Sequence, residues 1–277
     1  VIIILILEYF MLGFIKEFCG IGGYTRQAAG AYSWQHLTFV STFVVIMFVL
    51  GILIGLYFRK HPEKNKNVPL IWAAILIDSF ELVKIVICCI RAEMGDGHWY
   101  ESLLLDLPLF LCSIQLITIP LAAFSKGRVK EASLDFVCIF GLLGAVLGTY
   151  MAGNNYSCYP VLSFDNVVSA FTHCISGFCS LYILISGMAS MKKKNIWITF
   201  CILFFFAIAA SIANIYTNSN YMFLLRGDGT PYDILYNLLG GNAVLYPLGV
   251  VGLFVLYISL YYGIFLLVRR KKKASVA

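Results

Sequence analysis

An all-α, polytopic membrane helix bundle is the fold this sequence predicts, on three observations. Hydrophobic residues make up 61% of the 277 residues and charged ones only 12%, about half the ~25% charge of a soluble domain; the mean hydropathy is +0.87. So little charge cannot cover a soluble surface, which excludes soluble enzyme folds and nucleic-acid binding. Seven apolar windows reach the ~20 residues a spanning helix needs: residues 35–58, 68–91, 103–124, 133–152, 164–188, 195–215 and 244–268. Basic residues, finally, fall in short clusters between alternate windows rather than along a nucleic-acid stripe.

Taken along the chain, Val1 to Phe18 is apolar but interrupted by Glu8 and Lys16. It reads as an extra transmembrane helix, an interfacial helix or part of a signal-anchor; the basic start and small-residue exit of a cleaved signal peptide are not visible. Residues 1–31 thus form an N-terminal apolar segment, 32–268 the seven-helix membrane domain and 269–277 a basic tail. The segment 216–243 is the longest connection on its side, and Ile234, Leu235, Leu238 and Leu239 give its second half helical spacing, as an interfacial helix or a lid.

Charge sets the expected orientation. Fifteen of the 20 Lys and Arg lie in four clusters: Arg59, Lys60, Lys64 and Lys66; Lys126, Arg128 and Lys130; Lys192 to Lys194; and Arg269 to Lys273. Short basic loops stay cytoplasmic. The expectation is a multi-pass protein of the cell membrane, its core running from an outside N-terminus to a cytoplasmic C-terminus. Glu93, Asp96, Glu101, Asp106, Asp165, Asp228 and Asp233 then make the outer loops mildly acidic.

Ionisable groups are expensive inside a bilayer and mark candidate sites. In the second window Asp78, Glu81 and Lys84 recur every three residues, so they share a slowly drifting face and Glu81 can pair with Lys84. This is either a self-neutralised pair that orients the helix or a headgroup or ion site. The third window holds Pro108, which can kink the helix, and Cys112, some eight to ten residues below the outer surface, roughly 12–15 Å deep. A lone membrane cysteine is most often a small core residue. The fifth window holds His173 at matching depth. A Cys with a His at one level is the minimum for an acyl-transferring thiolate: His takes the proton, the thiolate attacks a carbonyl, and a thioester forms. Depth alone leaves the facing of both helices open. His36, at the start of the first window, is a headgroup contact, a second acid/base or a plain interfacial His.

No His or Cys spacing suits a metal, and no phosphate-binding glycine motif appears, so no metal or soluble cofactor is expected. Gly141, Gly144 and Gly148 give the fourth window a small-residue face for close helix contact. Cys19 and Cys158 are the candidate outer disulfide.

Four blocks together resemble the YwaF-like family of bacterial integral membrane proteins: Gln35-His36-Leu37, Leu107 to Ser113, Thr172-His173, and Asn220 to Leu224. In order and spacing they cover most of residues 32–268. Eukaryotic relatives of that family are transmembrane cysteine acyltransferases. The resemblance implies Cys112 as nucleophile, His173 as base, His36 as a secondary polar group and Asn220-Tyr221 as an outer cap. One position departs: the family's usual His two residues before the Cys is Phe110 here, which puts activity in question.

The leading expectation is a membrane acyltransferase or lipid hydrolase acting on lipid acyl esters through a cysteine thioester, with Glu81, Lys84 or Arg226 at the headgroup. Two rivals stand beside it. One is a transporter or substrate-binding membrane subunit built on Asp78, Glu81 and Lys84. The other is a non-catalytic subunit of a membrane complex, whose partner helices dock laterally, for instance on the glycine face. Membrane lipids are the expected partners, partner subunits are open, and nucleic acid is excluded.

Overall fold

The computed structural model describes residues 12–95, 97–151 and 153–274, and every described regular element is helical. Val1 to Met11, Asp96, Ala152 and Ser275 to Ala277 lie outside the described residues, and with them most of the expected N-terminal apolar segment Val1 to Phe18, the outer-loop charge at Asp96 and the end of the basic tail.

Residues 12–19 form α1. The long helices are α2 (Trp34–Lys60), α3 (Val68–Met94), α6 (Gly127–Tyr150), α8 (Phe164–Ser186), α9 (Ile196–Thr217) and α11 (Leu245–Ala274). Between them lie the short helices α4 (Trp99–Leu105), α5 (Gln115–Phe124), α7 (Gly153–Cys158) and α10 (Tyr232–Leu238). Among the described residues, five helices are long and apolar enough to cross a membrane: α2, the helix that begins at Gly127, α8, α9 and α11. Helix α3 has the length but carries Asp78, Glu81 and Lys84 in its middle.

The expected continuous third span, 103–124, is not one helix. Helix α4 ends at Leu105, nine residues are non-helical, and α5 restarts at Gln115. Pro108 supplies no backbone donor and drives its predecessor out of the α region. The freed groups are satisfied from elsewhere. The Tyr221 hydroxyl donates to the Leu104 carbonyl at 2.7 Å and accepts from the Leu107 amide at 3.2 Å. Tyr221 is itself held by Asn214, whose Oδ1 accepts from the Tyr221 amide at 2.7 Å. Unwound backbone at membrane depth survives only where protein or a cavity surrounds it, and this stretch has both.

Helix α8 is the centre of the bundle, and glycines bring its neighbours close. A Cβ on Gly141 would lie 2.5 Å from the Ser176 carbonyl oxygen, and one on Gly51 would lie 2.9 Å from Leu181 Cβ. The Ser180 hydroxyl donates to the Cys138 carbonyl at 2.7 Å, the kind of interhelical bond that replaces a hydrophobic driving force in lipid. The glycine face of α6 is therefore packed inside the protein, against α8 and Cys112.

The four basic clusters gather at one end. Lys66 donates to the Ser186 carbonyl, Lys130 to Asn67, Lys192 pairs with Glu131 and Arg269 donates to the Ser190 carbonyl. Beneath them Asp135 is fully buried and accepts from the Ser190 and Met191 amides, Asn195 and Tyr262. At the other end Cys19 is buried against Phe164 and Val168 while Cys158 is exposed; both are free thiols, so the candidate disulfide is not formed. In the segment 216–243 the expected helix is α10, whose Leu235 packs on Gly249 of α11 while Ile234 and Leu238 are exposed.

Candidate active site

The unwound segment carrying Cys112 faces α3 and α8 across a cavity of about 400 Å³ with a mixed polar and apolar lining. Helix α3 contributes Glu81, Lys84, Cys88 and Arg91, the segment Asp106, Phe110, Cys112 and Ser113, and α8 Asp165, Thr172, His173 and Ser176. Asn155 and Tyr159 also line it.

Helix α6 sets the spacing between Cys112 and His173. A Cβ on Gly144 would touch Cys112 Cβ at 3.5 Å, and one on Gly148 would meet the His173 ring at 2.5 Å. The two side chains thus lie over successive turns of one helix face, about 5.4 Å apart along its axis. Glycine at 148 is required because the imidazole occupies the space of a side chain. Among the described residues the His173 ring makes no hydrogen bond to protein, so both ring nitrogens are available to whatever enters the cavity.

Charge is arranged in two layers. Lys84 bridges Glu81 at 2.6 Å and Asp106 at 3.1 Å, which ties α3 to the segment just before Pro108. Two turns further along α3, Arg91 grips Asp165 in a two-pronged pair at 2.6 and 2.8 Å, with the Tyr24 hydroxyl donating to the same carboxylate at 2.7 Å. Fork-to-fork pairing fixes geometry as well as charge. Arg91 also donates to Cys88 Sγ at 3.1 Å.

Of the residues singled out from the sequence, the cavity brings together Cys112, His173, Glu81 and Lys84. Asp78 lies outside it, on the exposed side of α3. His36 is fully buried elsewhere: its Nδ1 accepts from the Tyr32 amide at 3.0 Å, its Nε2 donates to the Thr149 carbonyl at 3.2 Å, and its ring stacks on Tyr156 at 3.7 Å. Asn220 donates to the Arg226 carbonyl and to Asp228, and Arg226 pairs with Asp228 at 2.6 Å, away from the cavity. Tyr221 acts through the backbone on either side of the break, and Phe110 packs its ring against Tyr221 and Phe223. Asp106 and Asp165, read from sequence as loop charges, are cavity residues, as is Arg91, the last residue of the second window. Their one legible signal was the short distance from window ends.

A family model, the TMEM164 family, matches residues 31–262. The chain belongs to the TMEM164 family. The match runs from the turn before α2 to α11 and includes every residue that lines the cavity; Tyr24, which donates to Asp165 from outside it, precedes the match. TMEM164 is a transmembrane protein family, in keeping with the apolar helices described above. No curated protein and no solved structure matches the chain. The match confirms neither the YwaF-like resemblance of the four blocks nor an acyltransferase relationship.

Proposed function

We propose that the chain is a membrane acyltransferase, or with water as acceptor a lipid hydrolase, acting through a thioester on Cys112. The observation that carries this reading is the shared cavity in which Cys112 and His173 lie over successive turns of α6, with a ring nitrogen free for proton work. His173 takes the thiol proton, and the thiolate attacks the ester carbonyl of a lipid. The C–O bond breaks, the leaving alkoxide takes the proton from His173, and the acyl group stays on sulfur. An incoming lipid hydroxyl or water then gives its proton to His173 and attacks the thioester, releasing the thiolate. Lys84 and Arg91, each neutralised by carboxylates, meet the polar headgroup near the mouth. Phe110 in place of the family's histidine leaves His173 as the imidazole of the cavity.

The same proposal includes seven crossings: the five long apolar helices, α3, and the α4–α5 pair acting as one broken span. The end with the basic clusters is cytoplasmic, in the cell membrane. A transporter site on Asp78, Glu81 and Lys84 is less well supported, because Asp78 faces away from the other two.

Intact-mass measurement of the detergent-purified protein tests the chemistry. A hydroxylamine-labile adduct of fatty-acyl mass, absent in Cys112→Ser, is expected. Lipid acyl turnover that survives Cys112→Ala would refute it.

A further inference from the structure

A second chamber lies behind the cavity. Helices α2 and α3 both pack on α8 rather than on each other, and the gap between them is an open groove of about 980 Å³. Leu50, Leu53 and Phe58 form one wall, Trp72 and Leu76 the other, with Phe178 in the floor. From Val68 to Phe80 the groove follows twelve residues of α3, roughly 18 Å at 1.5 Å per residue, the reach of a long fatty chain.

The groove ends in an aromatic bulkhead. Phe80 and Phe171 stack at 5.0 Å and 17°, and Phe43 meets Phe171 edge-on at 4.9 Å. The next residue on each helix changes chamber: Glu81 after Phe80, and Thr172 and His173 after Phe171, line the polar cavity. One layer of side chains on the α3–α8 seam therefore separates a wholly apolar trough from the thiol-bearing cavity.

We infer that the groove is the acyl-chain site of the Cys112 cavity, with Phe80 and Phe171 as the gate through which the chain of the reacting ester passes. This rests on the acyl-transfer reading for its link to Cys112. Lipid hydrocarbon offers no hydrophobic gain for entering an apolar groove, so selectivity comes from shape: the distance from the gate to the first obstruction sets the chain length accepted. Leu76 lies one helical turn beyond Phe80, so a larger side chain there shortens the trough.

The test uses the full chain in phosphatidylcholine nanodiscs doped with a trace of phosphatidylcholine bearing a diazirine on its acyl chain. Labelled peptides are mapped by mass spectrometry. Saturable labelling on α2 and α3 at least fivefold above that on α9 and α11 is expected, reduced several-fold by Leu76→Trp or by Leu53→Trp from the opposite wall and not by Ile208→Trp on α9. Either groove variant should also shift the Cys112 adduct toward shorter chains. Labelling spread evenly over α2, α3, α9 and α11, or unaffected by both groove variants, overturns the inference. So does a stoichiometric co-purified helix that protects the groove. Groove labelling without any hydroxylamine-labile adduct supports the chain site while refuting the Cys112 chemistry, so the two failures are distinct.

Discussion

Gly148 and Thr149 are neighbours on α6, and each holds one histidine, in opposite ways. Thr149 offers its carbonyl to His36, whose other nitrogen is taken by the Tyr32 amide and whose face is covered by Tyr156. Gly148 offers only space, and His173 fills it with its ring turned to the cavity. A histidine with both nitrogens engaged is a strut between α2 and α6. One with nitrogens unspent, beside a thiol, is equipped for proton transfer. His36 is fully buried and His173 half-buried, and the accounting of ring nitrogens separates their roles.

The largest expected effect is on turnover. His173→Ala should slow acyl transfer by about 10²–10⁴-fold, the usual contribution of a general acid–base, while His36→Ala, corrected for folded fraction, stays within about threefold. Turnover per folded molecule checks this, and a reversed ranking would break the contrast. Gly148→Ala is next. Its methyl needs the space of the imidazole, so a loss of roughly 10–100-fold is expected from a misplaced base, whereas Gly144→Ala, with ordinary contact to Cys112, should change turnover by about twofold or less.

Smaller effects fall on stability. Losing two hydrogen bonds and a stacked ring in His36→Ala should cost about 2–3 kcal/mol, visible as a lower thermal midpoint in detergent with no change in the adduct at Cys112. Tyr221→Phe removes the hydroxyl that serves Leu104 and Leu107. About 1–2 kcal/mol is expected, with a fall in turnover because the segment it steadies carries Cys112.

Much of the fold was legible because hydropathy sums over long windows. Helices α2, α6, α8, α9 and α11 fall where the apolar windows fall. The break between α4 and α5 was not, since an apolar count registers Pro108 only as a kink and cannot see that Tyr221, more than a hundred residues later, supplies the missing partners. The cavity was half legible. Spacing paired Glu81 with Lys84, and depth brought Cys112 and His173 to one level, but rotation about each axis decided that Asp78 and His36 stay outside. Arg91 and Asp165 were hidden by lying near window ends, where a charge reads as solvated.

The Tyr221 bonds also bear on biogenesis. On the proposed topology the break between α4 and α5 lies in hydrocarbon, where a backbone group without a partner costs several kcal/mol, and Tyr221 serves two of its groups, the Leu104 carbonyl and the Leu107 amide. Its partner, the loop after α9, is made later. On that topology, residues 99–124 reach the broken form described above only after Tyr221 has been made, so the segment carrying Cys112 takes its final shape late in synthesis.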